Sequence, residues 1–339
     1  MPATLADIAR EMGVSKMTVS RAINNHPEIS AETRERILAV ARRLNYRPNH
    51  HARALATRRS SLIGVVVPDL MHSYFAELLR SIEAVARPAG FQIVICNTEE
   101  DPTREIGEVA ALLDRTDGLI VASALSKQGI GAYRKMIREG AKIVLMDREL
   151  ENVKCPLVKT DNHRVGFVAT DHLIRLGHKR VGHLKGNAVR VADDRFEGYK
   201  AALKANRILF EPNLARECGF LESDAYAAMT RWIADGDMPS AIFASNDPAA
   251  IGAMVALQEA GYRVGKDIAV VGGGNVHYGD MLKIPLTTVS WSRAEMGQAA
   301  ANILLQMISG ISQPERKAPT IIIEPELIIR ESCGASRRM

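Results

Sequence analysis

The sequence predicts an α/β protein: a small three-helix head followed by a core of two doubly wound parallel-sheet subdomains. Three observations carry this. A pair of short amphipathic segments, Thr4 to Asn24, opens the chain. From Leu62 onward, continuous apolar runs alternate with amphipathic helical stretches, as in parallel strands covered on both faces. The positive charge gathers ahead of that change of texture.

The head comes first. Leu5, Ile8, Ala9 and Met12 fall on one helical face, with Thr4 as N-cap, Asp7 in the first turn and Gly13 as the stop. Ser15 caps a second helix that turns Val19, Ala22 and Ile23 inward. Lys16, Met17, Thr18, Ser20, Arg21 and Asn24 are left on its outer face, able to meet phosphates or base edges. Small Ala9, Gly13 and Val19 let the two helices cross closely, as a helix-turn-helix requires. A third helix runs from Ser30 through Leu44 and closes the head, and Tyr46-Arg47-Pro48 ends it. Residues 49–61 hold three arginines and one large aliphatic residue, Leu55. That stretch is too short and polar to be stable alone, and it reads as a linker that orders against something anionic.

The core follows. Strands are predicted at 62–67, 91–95, 118–121, 142–146, 181–184, 241–244 and 268–271, and strand-like runs at 320–329 follow a helix at 293–309. Two successive βα sets give two subdomains, with the chain crossing between them more than once. The predicted division is a head at 1–47, a linker at 48–60 and a core at 61–331. Within the core the first subdomain takes about 61–160 and 291–318, and the second about 161–290 and 319–331. Residues 332–339 read as a frayed tail.

With 339 residues and 47% hydrophobic content, the chain can bury a large core over two or three domains. Residues 1–59 hold eleven Lys/Arg against five acids. That surplus of +6, set against +5 for the whole chain, leaves the other 280 residues at −1. A basic face confined to one small segment is the footprint of a polyanion partner. Four scattered cysteines without CxxC spacing fit reduced thiols. The N-terminus has no secretory signal pattern, and no apolar run approaches the roughly 18–20 residues of a membrane span. The expectation is a cytoplasmic protein without a membrane partner.

The motifs argue against chemistry. DIAVVGGGNVH fails as a dinucleotide loop because His277 stands at the third glycine position. Histidines 163, 172, 178 and 183 form no i, i+4 pair, so no metal site is expected. Neither GxSxG nor a P-loop is present, so neither an enzyme nor a cofactor is supported. Polar residues at strand ends are more informative, since ligands of open α/β sheets sit there. Ser73, Tyr74 and Phe75 follow the first strand, Asp147 and Arg148 the fourth, and Asn246 and Asp247 the run AIFA. Arg195 lies in a polar stretch where its guanidinium could fork onto hydroxyls or a carboxylate. A cleft between two subdomains would gather these on one small ligand. A solute-binding protein of transport and an enzyme on a nucleotide-binding fold are the alternatives. The basic head weighs against the first and the missing motifs against the second.

The stretches TLADIAREMGVSKMTVSRAINNHPEISAETRERI and LNYRPNHHARALATRRSSLIGVVVPD resemble the lac-repressor family of bacterial transcription regulators. So do YFAELLRSIE, HLIRLGHKRVGHL, FASNDPAAIGAM and IPLTTVSWSRAEMG further along. The family's core is similar to periplasmic sugar-binding proteins. The resemblance implies a sequence-specific regulator, most often a repressor. It would act as a homodimer on a near-palindromic double-stranded operator, controlled by a small-molecule effector bound between the core subdomains. Residue by residue, Lys16, Met17 and Arg21 stand at base-reading positions, Ser15, Thr18, Ser20 and Asn24 would mostly hold phosphates, and Thr4 is a further candidate for DNA contact. Residues 48–58 would be a hinge helix in which Leu55 wedges into the minor groove, flanked by Ala52 and Arg53, with Asn49 a further candidate for DNA contact. Tyr74, Phe75, Arg148, Arg195, Asn246 and Trp291 match positions that line the effector cleft, and a sugar or sugar derivative is the implied effector. One departure stands out. Where the family usually reads Gly-aromatic-Asp-Asp, this chain reads Gly272-Gly273-Gly274-Asn275, so the usual effector-accepting aspartate is Gly274. Trp291 replaces a residue that is usually polar, and its indole could stack on a ring. A sugar acid or phosphate would suit Arg148 and Arg195 beside the missing aspartate.

Overall fold

The computed structural model describes residues 3–46, 59–125, 129–187, 189–311 and 318–335, and divides into two compact units, 1–60 and 61–339. In the head, α1 (Leu5–Met12) ends on Gly13, whose φ of 63° is the left-handed conformation a helix stop favours. Asp7 secures the start of α1 by accepting from the Thr4 backbone N–H at 2.9 Å. The Ser15 hydroxyl caps α2 (Lys16–Ile23) by accepting from Thr18 N–H, and the Ser30 hydroxyl caps α3 (Ala31–Arg43) by accepting from Thr33 N–H. Ile8, Ala9, Val19, Ala22, Ile37 and Ala41 form the small buried core where the three helices meet.

In the larger unit the chain first lays down β1 (Leu62–Val67), α4 (Ser73–Ala86), β2 (Gln92–Asn97), α5 (Pro102–Leu113), β3 (Leu119–Val121), α6 (Ile130–Arg138), β4 (Ile143–Met146) and β5 (Leu157–Thr160). It then crosses to build α7 (Asn162–Arg175), β6 (Val181–Lys185), α8 (Arg190–Ala205), β7 (Ala215–Glu217), α9 (Glu222–Asp235), β8 (Ala241–Ala244), α10 (Asp247–Glu259), β9 (Ala269–Gly273) and β10 (Thr287–Ser290). It returns for α11 (Arg293–Ser309) and β11 (Thr320–Ile323), and crosses once more for β12 (Glu326–Ile328). The two six-stranded sheets are ordered β11-β5-β4-β3-β1-β2 and β12-β10-β9-β8-β6-β7, parallel except for the β10–β12 pair. Alternate residues of each strand face opposite helical layers, so Ile120 and Val144 pack with α4 and α11 while Leu119 and Leu145 pack with α5 and α6.

Two boundaries differ from expectation. The run TIIIEPELII is not one strand of the second subdomain. Thr320–Ile323 pairs in parallel with Leu157–Thr160 of the first sheet, and Glu326–Ile328 joins the second. Pro325 between them has no N–H to give to a ladder, so pairing stops there and the chain can change sheets. Residues 332–335 are not frayed either. The Ser332 hydroxyl accepts from Thr287 N–H and donates to the Val270 carbonyl, and Cys333 and Ala335 are buried.

The second subdomain depends on a close helix crossing. Gly166 of α7 and Gly198 of α8 face each other so tightly that a Cβ on Gly198 would lie 1.9 Å from the His163 carbonyl, and one on Gly166 1.9 Å from that of Arg195. Gly198→Ala is therefore expected to push α8 off α7. It should lower the urea midpoint by the equivalent of roughly 3 kcal/mol, the upper end of overpacking costs. Beneath α8, His183 is fully buried in a stack with Phe196, Tyr199 and Phe243, and its Nε2 has no partner. Burial holds its imidazole down at about 4. A folded-state value below the unfolded one gives stability that is complete above the unfolded value and lost as pH falls toward the folded one. His183 should thus cost roughly 2–3 kcal/mol of stability between pH 7 and pH 4.5. Urea melts of His183→Phe should show a profile flatter by that amount.

Candidate functional site

The outer face of α2 is built by the local pattern alone. The buried Val19 and Ala22 fix the helix rotation, which leaves Lys16, Met17, Arg21 and Asn24 exposed, Met17 by 64%. Ser20 and Thr18 are half-buried beside them. Thr4 and Ser15 sit exposed at the N-termini of α1 and α2. Two of these groups are already engaged. Arg21 pairs with Glu28 at 2.5 Å, and the Asn24 amide donates to the Ser20 carbonyl at 2.8 Å. Asn49, Ala52, Arg53 and Leu55 lie outside the described residues, as does the whole of the expected hinge, 48–58.

In the core unit a cavity of about 110 Å³ opens between the two sheets at the carboxyl ends of their strands, where α/β sheets bind ligands. From the first subdomain come His72, Tyr74 and Phe75 at the start of α4, Glu100 beyond β2, and Asp147-Arg148 beyond β4. From the second come Arg195 on α8, Phe220 beyond β7, Asn246 beyond β8 and Gly274 beyond β9. Trp291 and Arg293 stand where the chain returns.

The polar groups are tightly organised. Arg148 forks onto Glu100, Nη1 to Oε2 at 2.8 Å and Nη2 to Oε1 at 2.7 Å. Burial alone would push this guanidinium down, but the carboxylate more than offsets it and holds it above its ordinary value. Arg195 donates from Nε to Asn162 Oδ1 at 2.9 Å and from Nη1 to the Ser245 carbonyl at 2.6 Å, and its guanidinium lies 5.0 Å from the Trp291 ring centroid. Both of those acceptors are neutral, and burial pushes Arg195 below its ordinary value. The Tyr74 hydroxyl donates to Asp147 at 2.6 Å and receives the Trp291 indole N–H at 3.3 Å. Burial raises both Asp147 and Tyr74. His72 reaches across the cleft, its Nε2 3.1 Å from the Asn246 amide nitrogen. Burial, with Arg148 and Arg195 nearby, holds it at about 4, so the ring is neutral near pH 7.

Of the residues expected around an effector, Tyr74, Phe75, Arg148, Arg195, Asn246 and Trp291 line this cavity, and Ser73 and Asp247 do not. Asp247 is structural: its carboxylate accepts from Val276 N–H at 2.7 Å and from the Thr288 hydroxyl at 2.5 Å. Arg148 is not a free cation in this cavity, because Glu100 already neutralises its guanidinium. Five carboxylates line the cavity (Asp69, Glu77, Glu100, Asp147 and Asp224) against three arginines, a balance unfavourable to an acid or a phosphate. Sequence reasoning missed His72, Glu100, Phe220 and the Glu77–Arg293 pair. Glu100 carried a weak signal as one of the acids just beyond a predicted strand. Among the described residues no group of side chains is placed to hold a metal, and no helix is long and apolar enough to cross a membrane.

Residues 4–49 match the family described as bacterial regulatory proteins, lacI family, and residues 170–333 match the periplasmic binding protein-like domain. Over 97% of its length the chain is 34% identical to the HTH-type transcriptional repressor PurR of Mannheimia succiniciproducens, covering 98% of that protein. It is 33% identical to the PurR repressor of Haemophilus influenzae, with the same coverage. Among solved structures, the lac repressor dimer bound to operator and the anti-inducer ONPF is similar, with a TM-score of 0.87 at 29% identity over 98% of this chain and 99% of that one. The complex of the transcriptional regulator CelR with cellobiose is similar too, at 0.73 and 26% identity over 97% and 99%.

Proposed function

The chain belongs to the lacI family of bacterial regulatory proteins and is a DNA-binding transcriptional repressor rather than an enzyme; from that premise we propose that it grips a near-palindromic operator as a homodimer. On this reading a small uncharged effector in the core cavity controls its grip. The observation that carries the DNA half is the exposed face of α2. Lys16, Met17 and Arg21 have no packing role there, on the second helix of a helix-turn-helix, where base edges are read. Thr4, Ser15, Thr18, Ser20 and Asn24 flank them as phosphate contacts, and Leu55 with Asn49, Ala52 and Arg53 would extend the contact to the minor groove.

The effector half rests on the charge pattern of the cavity. Arg148 is neutralised, whereas Arg195 has neutral partners and remains free to fork onto ligand oxygens. The carboxylates offer acceptors, and Tyr74, Phe75, Phe220 and Trp291 offer ring faces. A neutral sugar, rich in hydroxyl donors and with apolar ring faces, fits this lining better than a sugar acid. For the dimer, β2 is an edge strand. With α4 it presents Ala76, Leu79, Ile93 and the exposed Ile95 along one groove, which a second copy would cover.

Footprinting of the full-length protein on genomic fragments tests the reading. The expected result is protection of discrete sites with two half-sites about one or a few helical turns apart. Affinity should fall by roughly 10³–10⁵ between 50 and 200 mM salt if six to ten phosphates are contacted. Uniform coating of all fragments, with or without sugars, would defeat it.

A further inference from the structure

One cluster at the cleft is not accounted for by effector binding. Arg293, the first residue of α11, is nearly buried, with 12% of its side chain exposed. Its Nε pairs with Glu77 Oε2 of α4 at 2.6 Å. Its two remaining nitrogens donate across the cleft, Nη1 to the carbonyl of Gly274 and Nη2 to that of Asn275 at 2.7 Å. Both α4 and α11 pack on the first sheet, whereas Gly274 and Asn275 follow β9 of the second. One guanidinium, planar and with its donors in a fixed fork, thus spans the two subdomains.

The backbone at Gly274 suits this role. Its φ of 131° lies in a region that residues with a Cβ avoid, although a Cβ there would meet nothing closer than Asp247 Oδ2 at 3.9 Å. Conformation rather than space therefore excludes a side chain, and the carbonyl of this glycine accepts from Arg293. The loop is fixed from behind by Arg330, whose Nη2 donates to Asn275 Oδ1 at 2.8 Å. On the other side of the latch, Glu77 Oε1 has no hydrogen bond, and His277 Nδ1 stands 3.8 Å from it.

The geometry points to Arg293, anchored by Glu77, as a latch supplied by the chain itself. It occupies the corner of the cleft beside Gly274, holds the subdomains closed without a ligand, and confines the effector to the end lined by Arg148, Arg195 and Asn246. This last consequence rests on reading the cleft as the effector site. The latch itself does not, and it can be tested without effector or operator.

Trp291, two residues from the latch and 4% exposed, reports on closure, while Trp232, the other tryptophan, is buried in the core at 1% and gives a constant background. In the full-length protein, Arg293→Ala is expected to raise acrylamide quenching of tryptophan fluorescence about twofold. Glu77→Gln, which keeps the two carbonyl contacts but removes the anchor, should give a smaller rise. The vacated corner of Arg293→Ala keeps a carboxylate and two carbonyls, so guanidinium ion at about 50 mM, far below the molar concentrations that unfold small proteins, should restore the wild-type quenching. It should not do so in the Arg293→Ala, Glu77→Ala double variant. Urea at the same concentration should restore neither. Quenching unchanged in both single variants, or raised but not reversed by guanidinium, would overturn the latch. If Arg293→Ala does not fold, the Glu77→Gln measurement decides. Failure of the footprinting experiment would leave these outcomes untouched, so the two readings fail separately.

Discussion

Arg195→Ala is expected to remove the response to effector altogether and to lower the stability of the core by roughly 2–4 kcal/mol. Two opposing effects set this magnitude. Removing the guanidinium leaves Asn162 Oδ1 and the Ser245 carbonyl without their donor inside the protein, at about 1–3 kcal/mol for each buried acceptor. It also takes the cation from beside the Trp291 ring. Against this, the charge is held below its ordinary value by burial, so its removal relieves a desolvation cost. For the effector there is no such relief, because Arg195 is the cleft arginine whose protein partners are all neutral. Two charge-assisted hydrogen bonds to ligand hydroxyls, at about 1.5–3 kcal/mol each, correspond to at least a hundredfold loss of affinity. Calorimetric titration with a sugar that raises the melting point of the wild type is the measurement. Arg195→Lys should be nearly as damaging, since one ammonium cannot reach Asn162, Ser245 and a ligand in the fork geometry. Wild-type affinity in the lysine variant would reduce Arg195 to a point charge.

How much of this was legible in the sequence depended on how far apart the interacting residues lie. The head could be read almost residue by residue, because its caps, stop and apolar stripes all act within one or two helical turns. Ser15 with Thr18, Ser30 with Thr33 and the left-handed Gly13 are examples. Aliphatic strands such as Leu62–Val67 were visible for the same reason. Strands whose burial is satisfied by polar means were not. In β10, Thr287 and Thr288 are fully buried, but their hydroxyls are taken up by Arg330 N–H and Asp247, so the segment lacks the expected aliphatic run. β5 follows Pro156 and includes Lys159, and β7 is three residues at a sheet edge. In the cleft, Arg195 and Asn246 were legible as polar residues near strand ends. What they and their neighbours do was not, because that follows from pairings such as Arg148 with Glu100, His72 with Asn246 and Arg293 with Glu77, which are 48, 174 and 216 residues apart. That Arg148 is already paired could not be read for the same reason, since Glu100 sits on a different strand-end loop.

The combined substitution of Lys16, Met17 and Arg21 by alanine is expected to have the largest effect, because it should abolish operator recognition while sparing the fold. Specific binding should fall to the level of non-specific DNA, a loss of roughly 10³-fold or more. The separation from folding follows from exposure. All three side chains are exposed on α2, and surface substitutions of this kind usually change stability by about 0.5 kcal/mol or less. The melting point of the triple variant should therefore match the wild type. Its remaining DNA affinity should still weaken steeply with salt through the phosphate contacts that are left. Arg21 alone should cost roughly 1–3 kcal/mol on the specific site if it reads a base edge bidentately. Its present partner Glu28 is no obstacle, since that ion pair is exposed on both sides and worth at most about 1 kcal/mol. Glu28→Gln sharpens the test. Freed from its carboxylate, Arg21 should bind the operator somewhat more tightly and the preference for it should rise, because only the specific complex draws this guanidinium to a base edge. If the triple alanine variant still protects the wild-type footprint, the bases are being read from elsewhere, and Thr18, Ser20 and Asn24 become the residues to replace.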